Sequence, residues 1–348
     1  MTAVPIMNKR NPVDVSFCLP VYNVGKYLED CIRSIISQPF NGTTYEILCV
    51  DDCSTDDSYD ILAELAEKYR QITVCQNEQN KGVSYSRNRL LDLAAGEYIW
   101  FVDPDDMLIT GAVSYVQKAR ERQADVLLGN YVRIGEDGSC GADLSDNHFD
   151  EDAIACTDHF QPVDAQGTPM SACWAGVFRR DFLIGNALRF NEKMIAQEDT
   201  LFYYLFPLRT KRIYKSQKYC YMYRIRSDSV MHARTDERMK KYYFSMLEML
   251  RVYQRCKANK EYTSEKLIDD RILHSRQNVA TCLASVQDDA FVAEQLRHIK
   301  REGIYPYPFR TAVFKGEENF LIKVLKFLMP IEVVFHMYRY IYRHRAAR

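Results

Sequence analysis

The feature that most constrains the fold is Tyr98-Ile99-Trp100-Phe101-Val102-Asp103-Pro104-Asp105-Asp106, a short run of large apolar side chains that ends abruptly in three carboxylates. The run is β-branched and aromatic, and Gly96 and Pro104 bound it, so a buried strand is predicted. A strand buried on both faces belongs to a parallel or mixed sheet, and such sheets bind ligands just beyond the carboxyl ends of their strands. Three acids held there repel one another unless a cation lies among them. Hard oxygen ligands suit Mg2+ or Mn2+, which keep some waters and share the site with substrate phosphates. Pro and Asp are equally favoured in a surface turn on backbone grounds alone. From this stretch by itself, both readings stand.

The preceding residues set the context. Val13 to Leu19 reads as a first strand ended by Pro20. An amphipathic helix follows, with Leu28, Cys31, Ile32, Ile35 and Ile36 at three- and four-residue spacing. Glu46 to Val50 is a second strand, and Ser54 with Asp57 resembles a cap for the helix carrying Ile61, Leu62 and Leu65. Ile72 to Cys75 is a third strand, and a helix from Val83 to Ala94 is expected to stop at Gly96. Strands alternating with single helices imply right-handed crossovers and a mainly parallel sheet. A helix over 112–122 and a strand over 125–130 continue the pattern.

After Tyr131 the rhythm changes. Gly135 to Gly167 is polar and rich in Asp and Gly, and reads as a long excursion from the core. Structure resumes near Cys173 to Phe178, a helix is expected to start near Glu198, and Arg212 to Tyr223 reads as strand. From Thr235 onward the pattern is helical: Glu237 to Lys257, Ser264 to Val286, Asp289 to Arg301 and Glu317 to Arg345. The division expected is residues 1–230 as an α/β domain and 231–348 as a helical region.

Composition removes several classes of function. The 348 residues carry a formal net charge of -1, so no global field favours nucleic acid. The 11 cysteines are odd in number and show no C-x-x-C spacing, which weakens disulfide and zinc readings and favours reduced thiols in a cytoplasmic protein. The first residues do not read as a secretory signal, and no apolar run reaches bilayer-spanning length. No G-x-G-x-x-G follows the first strand and no G-x-x-x-x-G-K-[ST] occurs, so dehydrogenase and ATPase readings fall away. An aspartyl phosphatase would need its acid pair after the first strand, where Pro20-Val21-Tyr22 stands instead. The strand ends that do carry polar groups can meet at one crevice, which suits a nucleotide with its diphosphate and metal. Asp52, after the second strand, is better explained by a ligand than by the fold, since Ser54, Asp56 and Asp57 already supply helix capping.

At these residues the chain resembles a known family. Leu19-Pro20-Val21-Tyr22-Asn23, Val50-Asp51-Asp52-Cys53-Ser54-Thr55-Asp56, Asn80-Lys81-Gly82 with Arg87-Asn88, and Gly96 through Asp106 are similar, in that order, to glycosyltransferase family 2 of the GT-A fold. Three later segments resemble bacterial members: Trp174 to Arg180 on the acceptor side, Glu198-Asp199 as the catalytic acids, and Tyr223-Arg224-Ile225-Arg226 with Ser229. The resemblance implies a GT-A fold, with a Rossmann-like mixed, mostly parallel sheet flanked by helices, and a helical C-terminal region. It implies that Pro20, Tyr22, Asn23 and Asp52 line the base and ribose pocket of a nucleotide-sugar donor, most simply a UDP sugar, and that Arg87 reaches the base or diphosphate. Asp103 would hold ribose or share the metal, and Asp105, with Asp106, would hold Mn2+ or Mg2+. Asp199 would be the base of an inverting transfer, with Glu198 as the second candidate. Cys53 departs from the Gly or other small residue that the family most often has there.

The acceptor implied is a glycan or lipid-linked glycan in polysaccharide biosynthesis. A nucleotidyltransferase and a non-catalytic nucleotide- or glycan-binding relative remain as alternatives. The final helix mixes apolar residues with Lys323, Lys326, Arg339, Arg343 and Arg345, and fits either an interfacial helix on the inner face of the membrane or a helix packed against the protein. His232 could reach the metal or diphosphate, or be merely structural.

Overall fold

The structure, a computed structural model, describes residues 12–139, 153–154, 172–226, 235–304 and 339. His232, Ser229, most of the Gly135–Gly167 excursion and, apart from Arg339, the expected helix over Glu317–Arg345 lie outside those residues. The chain divides into two compact units, Met1–Glu192 with Glu198–Ser229, and Lys193–Gln197 with Val230–Arg348.

In the first unit, β1 (Val13–Val21), β2 (Tyr45–Asp51), β3 (Ile72–Gln76) and β4 (Gly96–Phe101) pair in parallel in the order β3-β2-β1-β4. Helices α1 (Gly25–Ile36), α2 (Ser58–Lys68) and α3 (Val83–Leu93) form the crossovers. β5 (Met107–Leu108), α4 (Ser114–Glu121) and β6 (Val126–Ile134) follow, then β7 (Ala153–Ile154), β8 (Gly176–Arg179), α5 (Arg180–Gly185), α6 (Glu198–Leu205) and β9 (Ile213–Arg224). β8 inserts antiparallel between β4 and β6, β6 pairs in parallel with β9, and β5 and β7 pair antiparallel with β9. The sheet is therefore mixed.

Apolar spacing accounts for the helices. Tyr27, Leu28, Cys31, Ile32 and Ile35 form the buried face of α1, and each aliphatic side chain so placed contributes about 1.5–3 kcal/mol. Phe17 on β1 and Trp100 on β4, both fully buried, stack with centroids 5.8 Å apart.

Three local expectations are corrected. Pro20 does not end β1: the strand runs on to Val21, with Pro20 opposite Val50 of β2. The last β4 partner is Cys18, opposite Phe101, so the missing N–H of Pro20 falls where β4 has already parted from the strand. Gly96 is not a helix stop but the first residue of β4. A Cβ there would lie 2.4 Å from the Ser16 backbone nitrogen, so close approach to β1 demands glycine. Ser54 does not cap α2, which starts at Ser58 with no side-chain cap. The Ser54 and Ser58 hydroxyls and the Asp56 carboxylate instead accept from the backbone N–H groups of Asn23, Val24 and Gly25, tying the two loops together.

The second unit contains α7 (Asp236–Ala258), α8 (Glu265–Ser285) and α9 (Asp289–Arg301). Thr235, Ser264 and Asp288 cap them, their side chains accepting from the N–H groups of Arg238, Leu267 and Phe291. Among the described residues, no helix is long and apolar enough to cross a membrane.

Candidate active site

The carboxyl ends of β1 and β4, with the loop after β2, open onto a cleft of about 440 Å³, within the range of small-ligand sites. Strand order changes direction here, since β2 lies on one side of β1 and β4 on the other. Pro20, Val21, Tyr22 and Val24 line it from β1 and its loop, Asp52 from the loop after β2, Asn80 and Gly82 from the turn before α3, Val83, Ser86 and Arg87 from α3, and Asp103, Pro104 and Asp105 from beyond β4. Seven of the expected side chains meet in or beside this cleft, because Arg87 carries the array on to Glu198.

Asp52 is buried, and the fold uses it as much as a ligand could. Its Oδ1 accepts from Asn77 Nδ2 at 2.6 Å and the Lys81 N–H at 2.9 Å, and its Oδ2 accepts from the Gly82 N–H at 2.7 Å. Gly82 has φ +86°, which places its N–H there at no steric cost, and the acid sits at the positive end of α3. The expectation that a ligand explains Asp52 better than the fold does is thus corrected: it fastens the 77–82 loop and also faces the cleft.

Asn23 does not line the cleft. Its φ of 52° turns the side chain to the neighbouring loop, where Oδ1 accepts from the Thr55 N–H at 2.8 Å. Cys53, at φ 60°, occupies a left-handed position that favours glycine, so the departure noted in the sequence carries backbone strain.

Arg87 is buried to 5% side-chain exposure and joins two halves of the site. Nη2 donates to Asp103 Oδ1 at 2.8 Å, and Nη1 to Glu198 Oε1 at 2.9 Å. A buried guanidinium held by two carboxylates is a strong charge-assisted arrangement. It is already committed to protein acids and does not reach freely towards a base. Glu198 and Asp199 open α6, and the Thr200 N–H donates to Asp199 Oδ1 at 2.6 Å. Burial first, and then the negative charge of Glu198, raise the Asp199 pKa to about 7, against the opposing pull of Arg87. A carboxylate that titrates near neutrality is suited to general-base work. Held in an ion pair by Arg87, Glu198 is the weaker candidate for that role.

The three acids after β4 separate. Asp103 and Asp105 face the cleft, whereas Asp106 is 1% exposed and turns inward, Oδ1 accepting from the Arg224 N–H at 2.7 Å. Burial, then the charges of Asp105 and Asp103, push its pKa well above the usual carboxylate range. Asp106 as a metal ligand is corrected on that geometry: it ties β9 to the turn. Among the described residues no three His, Cys, Asp or Glu side chains converge as a metal site. Two hard oxygen ligands remain in Asp103 and Asp105, and burial followed by the Asp103 charge raises the Asp105 pKa. That repulsion fits a divalent cation completed by phosphate oxygens and water.

Other expected residues go elsewhere. Arg179 pairs with Asp125, as does Arg212, at the end of β8 opposite Tyr98 and hence at the far edge of the sheet from the cleft. The expected acceptor-side role therefore does not extend to Arg179. Trp174 lies at the near edge, stacked on Tyr221 at 4.4 Å, whose hydroxyl accepts from the Asp103 N–H. Arg224 is a fixed support, donating from Nε to the Asp105 carbonyl and from Nη1 to that of Glu136. Arg226 Nη1 lies 3.2 Å from Asp105 Oδ2. Sequence reasoning missed Asn77 and Tyr221, since nothing local distinguishes either.

The chain is similar to several known proteins. The family model for Glycosyl transferase family 2 matches residues 16–184. Poly(ribitol-phosphate) beta-glucosyltransferase of Bacillus spizizenii is 31% identical over 216 residues, covering 62% of this chain and 32% of that protein. The chain thus spans about a third of the length of that relative. GalNAc(5)-diNAcBac-PP-undecaprenol beta-1,3-glucosyltransferase of Campylobacter jejuni is 27% identical over 325 residues, covering 92% of this chain and 95% of that one. Among solved structures, S. aureus TarS 1-349 in complex with UDP-GlcNAc superposes with a TM-score of 0.56 at 25% identity, covering 78% of this chain and 72% of that one.

Proposed function

Because residues 16–184 belong to glycosyltransferase family 2, on a GT-A fold, we propose that the chain is an inverting, divalent-metal-dependent glycosyltransferase. It moves a sugar from a UDP sugar to a hydroxyl of a glycan or lipid-linked glycan in polysaccharide or teichoic acid synthesis. The observation that carries this reading is the single array of Asp105, Asp103, Arg87, Glu198 and Asp199, which runs from the cleft to a carboxylate poised to titrate near neutrality.

Asp52 supports uracil as the base. Three donors already occupy its two oxygens, so a carboxylate with about four acceptor positions has room for one more N–H. Uracil presents one N–H between two carbonyls, whereas guanine presents two adjacent donors. Pro20 and Tyr22 supply the apolar wall for the base, with Tyr22 45% exposed beside the cleft. Asp103 and Asp105 would hold the cation, which when bound supplies Lewis-acid stabilisation of charge on the diphosphate.

Asp199 takes the proton from the acceptor hydroxyl as its oxygen bonds to the anomeric carbon and the bond to the diphosphate oxygen breaks. One displacement with one base inverts the centre and releases the nucleoside diphosphate. Arg87, through Glu198, keeps a negative charge fixed beside the base while holding Asp103 on the donor side. The relatives named for glucosyl transfer to poly(ribitol-phosphate) and to an undecaprenol-linked glycan support a polymer or lipid-linked acceptor. A nucleotidyltransferase would carry a Gly- and Lys/Arg-rich loop after β1, and Pro20 to Gly25 is not one.

The test is a panel of nucleotide sugars with Mn2+ or Mg2+, read as nucleoside diphosphate release. A UDP sugar is expected to be turned over. Failure to bind UDP or any UDP sugar by calorimetry would overturn the reading, and binding without release would favour a non-catalytic relative.

A further inference from the structure

Arg226 holds an acid that the functional reading requires elsewhere. Its Nη1 lies 3.2 Å from Asp105 Oδ2, and the two side chains are 19% and 26% exposed. Its guanidinium also faces the Tyr27 ring, with Cζ 5.5 Å from the centroid, and Arg224 faces the same ring at 5.2 Å. The two arginines do different things. Arg224 binds main-chain carbonyls and shares its backbone N–H with Asp106, so it frames the turn. Arg226 engages the side chain of Asp105, which lines the cleft.

We propose that Arg226 is a resident counter-ion of Asp105, which a divalent cation has to displace, and that the released guanidinium then faces the donor diphosphate. The proposal rests on the reading above, which gives Asp105 to the cation. Two positive groups cannot both contact one carboxylate edge without mutual repulsion, so cation and Arg226 compete. In the absence of a cation the pairing has a clear function. Asp105 lies two residues beyond Asp103 on the same cleft wall, and the Arg226 guanidinium, 3.2 Å from Asp105 Oδ2, offsets the repulsion between the two acids. The carboxylate is thereby held in place at the expense of affinity for the bare ion.

A nucleoside diphosphate changes the balance, because its phosphate oxygens offer Arg226 a replacement partner of the kind guanidinium groups prefer. Cation and nucleotide then bind with positive coupling, each removing an obstacle to the other, and the coupling is reciprocal.

The experiment is a Mn2+ titration of the full chain without nucleotide, read by the electron paramagnetic resonance of the free ion, for the native protein and Arg226→Gln. The variant is expected to bind Mn2+ roughly three- to tenfold more tightly, as loss of one competing ion pair implies. UDP at saturating Mn2+ is expected to bind the variant several-fold more weakly. This opposite change in two affinities is not what general disruption of the site produces. Equal or weaker Mn2+ binding by the variant, or no Mn2+ binding by either protein, overturns the proposal. Should the variant misfold, phenylglyoxal modification of Arg226 in the native chain, mapped by mass spectrometry, should rise on adding Mn2+, and no rise overturns it. A native chain that binds Mn2+ as expected but not UDP would uphold the counter-ion and overturn the functional reading, so the two fail separately.

Discussion

Replacing Glu198 by Gln should move the acid limb of the transfer rate to lower pH. In the native chain Asp199 titrates at about 7, raised first by burial and second by the Glu198 charge, with Arg87 opposing. Gln keeps the shape of the side chain but removes the negative charge. It also leaves Arg87, whose Nη1 donates to Glu198 at 2.9 Å, with less compensation. Both changes favour ionised Asp199. Loss of one adjacent like charge lowers a pKa by roughly one unit, about 1.4 kcal/mol. The sign follows from the role: a base works deprotonated, so the rate rises with pH through its pKa, and a lower pKa brings that rise to lower pH.

At pH 6 a base of pKa about 7 is roughly 10% ionised, and one lowered to about 6 is roughly half ionised. The weaker base is intrinsically about threefold slower for a Brønsted coefficient of roughly 0.5. The variant is therefore expected to match or slightly exceed the native rate near pH 6 and to fall about threefold behind near pH 8, so the two profiles cross. The assay is kcat for nucleoside diphosphate release at saturating substrates across that range. Asp199→Asn is the control, expected to bind donor and transfer nothing. A limb that stays near 7, or a loss of equal size at every pH, refutes tuning by Glu198, and normal turnover by Asp199→Asn removes Asp199 as the base.

Asp105→Asn should weaken Mn2+-dependent UDP binding by roughly tenfold or more, measured by calorimetry, because half of the two-acid cation site is neutralised. Asp52→Ala should lower unfolding stability by about 2–4 kcal/mol in denaturant, since three hydrogen-bond donors lose their acceptor. A change below roughly 0.5 kcal/mol would show that the 77–82 loop does not depend on it. Gly96→Ala should cost about 1–3 kcal/mol, because the added Cβ would meet the Ser16 backbone at 2.4 Å, and an unshifted melting temperature would count against that packing.

Much of the α/β arrangement was readable because its signals are local. The apolar repeat of α1 and the abrupt change from Val102 to Asp103 are properties of a few neighbouring residues, and both fall where expected. The start of α6 at Glu198 was legible for the same reason. What could not be read are partnerships between distant positions. Asp106 meets a backbone N–H 118 positions later in the chain, and Arg87 meets an acid 111 positions away. Asp52 resembled a ligand-binding acid because Asn77, Lys81 and Gly82, which bond it, come together only when β3 lies beside β2. The reversed direction of β8 was equally hidden, since a four-residue strand carries no mark of its orientation.

That reversal has an evolutionary implication. Because β8 opposes both β4 and β6, β6 runs in the same sense as β4, so the connection between β6 and β8 departs from and rejoins the sheet along the rim that holds Asp103 and Asp105. Substitutions where that connection leaves and re-enters the sheet can therefore accumulate while the ladders beneath keep their register. Under the proposed function, a lineage would in this way alter the acceptor side of the cleft without rebuilding the strand ends that lead to Asp103 and Asp105.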